Sequence, residues 1–375
     1  MPRLSLDEYV RQRQIELAVD LEFKKAVYLD VKFWIILRDV AVGRRAGSNE
    51  IQLLHSLREC VSKGKVFCPV SDSTFAELLK QNDPITRKAT ANLIDELSLG
   101  VTIIPFEMRV GTELAHFLYA AVSSPNDLHP LKHLVWSKQS YVLGYVHPTL
   151  TGLDEEAQVA LQKEFFNHMW TIPMSEIMHR IGDATPPDFF TSFGKLADDL
   201  NVQNTKHASE VRSFEQAYLV EIQGAIDVFA GTAVDIIRKM FEKRSGYLVE
   251  LSTTERSVHE REVRNLLFAA FKQSSTKDAL RTLHILACIH AFVRWNKPQQ
   301  LKDNDFFDFR HATAALGYCD AFFTERSMRA MISANHMSLD RQYGCCVVAD
   351  VNDAIDYLAR VANESPSSGT AKTSL

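Results

Sequence analysis

The stretch "LKDNDFFDFRHATAALGYCDAFFTERS", residues 301–327, decides how this chain is read. A helix rich in small residues, "DFRHATAALG", starts at Asp308 and ends on a glycine. A short apolar run, "AFFT", follows, and Glu325 stands just past it. A plain core segment needs none of these charges, because a buried carboxylate is costly unless it is paired. The helix-to-strand order is that of an α/β unit. The chemistry depends on whether carboxylates elsewhere in the chain reach the same place.

Working outward, "KAVYLD" (25–30) is a β-branched and aromatic run that ends in an acid. "KVFCPVS" (65–71) and "VTIIPF" (101–106) are two further short strands, and "YGCCVVAD" (343–350) is a last one. Between them lie helical patterns: residues 4–20, "IQLLHSLRECVSKG" (51–64), "DSTFAELLKQ" (72–81), "PITRKATANLIDELSLG" (84–100) and "NDAIDYLARV" (352–361). Proline near a helix start and glycine at its end are the expected punctuation. Short buried strands alternating with helices predict a parallel sheet covered on both faces. The alternation stops near residue 125 and returns near 276. Apolar positions between those points recur at helical spacing, with breaks such as "TPPDFF" (185–190). The expected organisation is one α/β domain in two parts, 22–124 and 276–362, interrupted by a helical insertion over 125–275. Residues 363–375 are read as a disordered tail, being Ser, Gly, Thr and Lys for the most part.

Composition bounds the rest. The 375 residues are 46% hydrophobic and 24% charged, an ordinary globular balance. A formal net charge of −5 argues against nucleic-acid binding by global positive charge, though not against a local basic groove. The six cysteines form no C-x-x-C pair, and most sit in apolar runs, so they read as buried thiols. Residues 1–25 are charged throughout and do not read as a secretory leader. No apolar run approaches the length of a membrane span. The expected compartment is the cytoplasm, with no membrane partner.

In an open parallel sheet, functional groups collect at the carboxyl ends of the strands. Asp30 ends the first strand, Glu77 lies in the helix after the second, Asp308 begins the helix before "AFFT", and Glu325 follows that strand. Taken singly, each has a bland reading. Asp30 and Asp308 are plausible helix caps, and Glu77 suits a solvated helix face. Asp320 precedes its strand and reads as structural. Together, carboxylates converging without paired bases call for a positive centre. Mg²⁺ or Mn²⁺ suits such a set, being a hard cation that takes oxygen ligands. The chemistry that fits is phosphodiester hydrolysis.

These residues resemble the PIN domain nucleases. The resemblance rests on "AVYLD", on Glu77 in "STFAELL", and above all on "DFRHATAALGYCDAFFTER". It implies a PIN-like three-layer α/β domain with a central parallel sheet of about five strands, here interrupted by a large helical insertion. It also implies an Mg²⁺- or Mn²⁺-dependent endoribonuclease acting on single-stranded RNA, as a toxin-like or defence-associated effector or an RNA-processing enzyme. Asp30, Glu77 and Asp308 match the acidic metal positions, with Glu325 assisting. Lys32 stands where the family often has Asn, and Thr324-Glu325-Arg326 displaces the last acid by one residue. Lys32, Arg310, His311 and Arg326 are candidate phosphate contacts, set against the bland readings of a packed histidine and solvated cations. An inhibitor or other partner protein and a homo-oligomer are compatible with the resemblance, and the residues decide neither.

A haloacid-dehalogenase-type phosphatase needs a second Asp where Lys32 stands. No Walker or H-E-x-x-H stretch is present. The competing class is a catalytically impaired PIN-like protein that binds RNA or acts as a scaffold, using "RKMFEKRSG" (238–246) and "ERSVHEREVR" (255–264) to track phosphates.

Overall fold

The computed structural model describes residues 4–124, 128–181, 193–297 and 299–364. The expected break at 185–190 and the tail from 365 onward lie outside the described residues. The N-terminal part runs α1 (Leu6–Leu21), β1 (Lys25–Leu29), α2 (Val31–Ala41), α3 (Ser48–Ser62), β2 (Val66–Phe67), α4 (Asp72–Leu79), α5 (Pro84–Ser98), β3 (Val101–Ile103) and α6 (Phe106–Ala120). The middle contains β4 (Trp136–Lys138), α7 (Glu155–Met169), α8 (Met174–Ile181), α9 (Phe193–Lys206), α10 (Phe214–Ser245) and α11 (Thr253–Ala270). The chain closes with α12 (Ser274–Ala279), α13 (Arg281–Trp295), α14 (Asp305–Tyr318), β5 (Ala321–Phe323), α15 (Arg326–Ile332), α16 (Leu339–Tyr343), β6 (Cys346–Val348) and α17 (Val351–Asn363).

The protein is mixed α/β and mostly helical, around a four-stranded parallel sheet of order β2-β1-β5-β6. Tyr28 pairs with Phe322, and Phe322 with Val347, so β1 and β5 join although nearly the whole chain separates them. Alternation on β1 builds two cores. Ala26 and Tyr28 face α1, α6, α13 and α14, while Val27 and Leu29 face α2, α3, α5 and α17.

The expected five-stranded sheet is corrected to four strands. "VTIIPF" supplies β3, but β3 pairs antiparallel with β4, a strand not expected from the sequence. It touches the end of the β2 segment only through an isolated bridge between Val70 and Thr102. Pro69 has no backbone N–H to offer β1, so the β1–β2 ladder ends at Phe67. Cys68 donates instead to the Leu97 carbonyl at 2.9 Å.

The long helices of the middle pack on this frame. The buried side of α10 carries Ile222, Ile226, Ala230, Ala233 and Val234 and lies along α13 and α6. Serine caps open both α10 and α11. No helix among the described residues is long and apolar enough to cross a membrane.

Candidate active site

The strand order reverses direction between β1 and β5, so their carboxyl ends flank the crevice where an open sheet places a site. Asp30 leaves β1 there and caps α2. Its Oδ1 accepts from the Lys32 backbone N–H at 2.9 Å, and its Oδ2 accepts from Thr324 Oγ1 at 2.7 Å. Thr324 follows β5, so the two central strands are tied together at the edge. Asp308 stands in the first turn of α14, which runs back toward the amino end of β5 and therefore starts at this edge. Glu77 reaches it from α4, and the exposed Glu325 from the start of α15. Asp320 lies at the other end of β5, as its position before the strand implied. It accepts from the Ala26 N–H at 2.8 Å and faces Lys25 at 3.5 Å.

Electrostatics tie the edge together. The Asp308 carboxyl is pushed up to about 7, first by burial and then by the Asp30 charge, with Glu77 and Glu325 adding to it and only His311 opposing. The His311 ring is 1% exposed, and its Nε2 lies 2.6 Å from Glu77 Oε2. Burial opposes a charged ring, but the Tyr28 oxygen, Glu77 and Asp30 outweigh it and hold His311 protonated above the ordinary range.

The donor types suit a hard divalent cation: carboxylate oxygens from separate elements. Both Asp30 oxygens keep a second lone pair, and no hydrogen bond to the Asp308 carboxylate is present among the described residues. Among the described residues, no three Asp, Glu, His or Cys side chains stand close enough to form a coordination shell. The acids share one edge, and Asp308 carries the effect of the other three.

The candidate phosphate contacts fall differently. Lys32 Nζ lies 3.3 Å from the Ala349 carbonyl, at the carboxyl end of β6. Arg326 is exposed at the start of α15, beside Asp350, which is held below its usual range first by the Asp353 backbone N–H and also by Arg326. Arg310 is tied down, with Nη1 3.4 Å from Asp72 and Nη2 3.1 Å from Glu107, and its guanidinium lies over Phe106. His311 is buried with both ring nitrogens bonded within the protein, so it offers no atom to a phosphate. Of the cations in the two basic segments, Arg256 of α11 meets Asp235 of α10, Arg238 meets Asp235 within α10, and Arg256 and Arg264 meet Glu260 within α11.

Sequence reasoning missed Tyr28, Thr324 and Asp72 as partners in the site. A hydroxyl in the apolar strand "AVYLD" was the available signal for Tyr28. Comparison with protein-family models, curated proteins and solved structures finds no match to this chain.

Proposed function

We propose that the acidic edge of the β1–β5 crevice binds Mg²⁺ or Mn²⁺ and hydrolyses phosphodiester bonds in single-stranded RNA, in a PIN-like domain. One observation carries the reading. At a strand-order reversal, the partly buried Asp308 carboxyl is raised by the charges of Asp30, Glu77 and Glu325, which come from three other elements. Structural carboxylates are normally paired with cations; among the described residues, the buried cation beside these is His311.

Asp30, Glu77 and Asp308 would hold the ion, and Glu325 would assist from the rim. When bound, such an ion supplies Lewis acidity at a phosphoryl oxygen and a water that ionises near neutral pH. The chain's own residues set the rest. Thr324 and the Lys32 N–H orient Asp30, Lys32 and Arg326 attract the phosphate backbone, and no side-chain nucleophile is needed.

The test is purified protein with labelled single-stranded RNA and Mn²⁺ or Mg²⁺, with EDTA as control. Asp308→Asn keeps the shape and lowers the charge, so cleavage should fall by more than about 100-fold while metal-free stability holds level or rises. Cleavage that survives both EDTA and Asp308→Asn would refute the mechanism. No cleavage across a broad set of RNAs and single-stranded DNAs would favour the scaffold class.

A further inference from the structure

His311 stands behind the acidic edge and touches no substrate in the function above. It lies on α14 one turn past Asp308 and is 1% exposed. Nε2 lies 2.6 Å from Glu77 Oε2, and Nδ1 lies 2.6 Å from the Tyr28 hydroxyl. That hydroxyl also lies 2.6 Å from Ser71 Oγ and 3.2 Å from Thr74 Oγ1. An ionised carboxylate only accepts, so Nε2 carries the hydrogen toward Glu77.

The chain of contacts closes on itself. Glu77 belongs to α4, Ser71 caps α4, and Thr74 lies in its first turn. From α4 the path runs through His311 on α14 to Tyr28 on β1 and back to α4. Tyr28 is fully buried, and its ring packs edge-on against Phe322 of β5, so the hydroxyl is held by the sheet itself. A glutamate on a short helix has three rotatable bonds and, left alone, would spread over several rotamers. Here one oxygen is pinned, and Oε1 is left for the edge.

We infer that His311, oriented by Tyr28, is a positioning residue that fixes the Glu77 carboxylate toward the acidic edge. The inference rests on the metal-binding reading above, because a fixed carboxylate matters most where it must meet an ion. Hydrogen-bonded partners of ligating carboxylates change metal affinity by about 10–100-fold when removed. A plain staple between α4 and α14 would use the same contacts for stability alone.

The experiment titrates the full chain with Mn²⁺ by calorimetry, with metal-free thermal unfolding measured alongside. His311→Leu should weaken Mn²⁺ binding by about 10–100-fold, and Tyr28→Phe by a smaller factor. His311→Gln, which returns an N–H donor near the Nε2 position, should recover most of the affinity. In a Glu77→Ala background, His311→Leu should add no further loss, since its effect runs through that carboxylate. On RNA, folded His311→Leu should lower kcat with little change in KM. Unchanged Mn²⁺ affinity in the folded variants, with melting temperature alone reduced, would overturn the positioning role and leave a staple. Should His311→Leu not fold, Tyr28→Phe and His311→Gln decide by the same criterion. A wild-type chain that binds no Mn²⁺ overturns the metal reading and this inference with it. Wild-type binding that the variants leave intact overturns this inference alone.

Discussion

Asp30 illustrates how one side chain acquires two jobs from its position. As the residue that leaves β1 it caps α2, a role its sequence context predicts, and it also faces the crevice. Capping occupies one lone pair on Oδ1 and does not exclude ligation. His284 shows the opposite case, a histidine kept neutral. Nδ1 lies 2.8 Å from the Tyr218 hydroxyl, and Nε2 lies 3.2 Å from Gln342 Oε1, so the neutral ring is satisfied on both sides. Burial pushes it down to about 4, with Gln342 opposing. The folded state therefore binds this proton less well than the unfolded chain. Its contribution is complete above about 6.5 and is lost as pH falls toward 4, by up to about 1.4 kcal/mol per unit. Urea midpoints should fall between pH 7 and pH 4.5, and His284→Gln should flatten that slope. An unchanged slope would show that other groups drive it.

Helices α6, α13 and α14 are joined by a buried acid that no pattern in the sequence marked. Glu113 on α6 is fully buried and accepts from the Thr282 backbone N–H at the start of α13 and from the Tyr318 hydroxyl at the end of α14. Burial pushes its carboxyl above the usual range despite those hydrogen bonds. Arg109, one turn earlier and also buried, reaches the Ile104 carbonyl and Thr313. Glu113→Ala leaves several buried donors without an acceptor and should cost about 3–5 kcal/mol in chemical denaturation. Glu113→Gln keeps a carbonyl acceptor and should cost less. Equal losses for the two would mean that packing, not acceptance, sets the value. At the same level, Pro69 explains why the second strand is short, while β3 meets Val70 with one edge and β4 with the other.

The sheet joins the two ends of the chain, so its cooperativity is a property of the assembled protein. Apart from Lys25, strands β1 and β5 are buried; they share the Asp30–Thr324 bond, and the crevice exists only when they pair. Native-state hydrogen exchange should give the amides of Tyr28 and Phe323 the same protection, equal to global unfolding. Markedly faster exchange at Phe323 would mean that the C-terminal part opens on its own. Much of this was legible from local chemistry. Strand-end acids, helix caps and apolar runs placed Asp30, Asp308 and Glu325 at one edge, because period and punctuation are written residue by residue. The middle read as helical for the same reason. The pairing of β3 with β4 was not legible, since "WSK" (136–138) carries no strand signal and joins the edge of β3 that faces away from Val70. Nor were Arg310's ties to Asp72 and Glu107, or the burial of His311 against Glu77 and Tyr28. Those contacts join residues hundreds of positions apart. The sequence by itself determined which acids stand at strand ends and which segments coil. Only the tertiary structure decided which cations face solvent and which are consumed inside, because that depends on what the packed layers bring within hydrogen-bond distance.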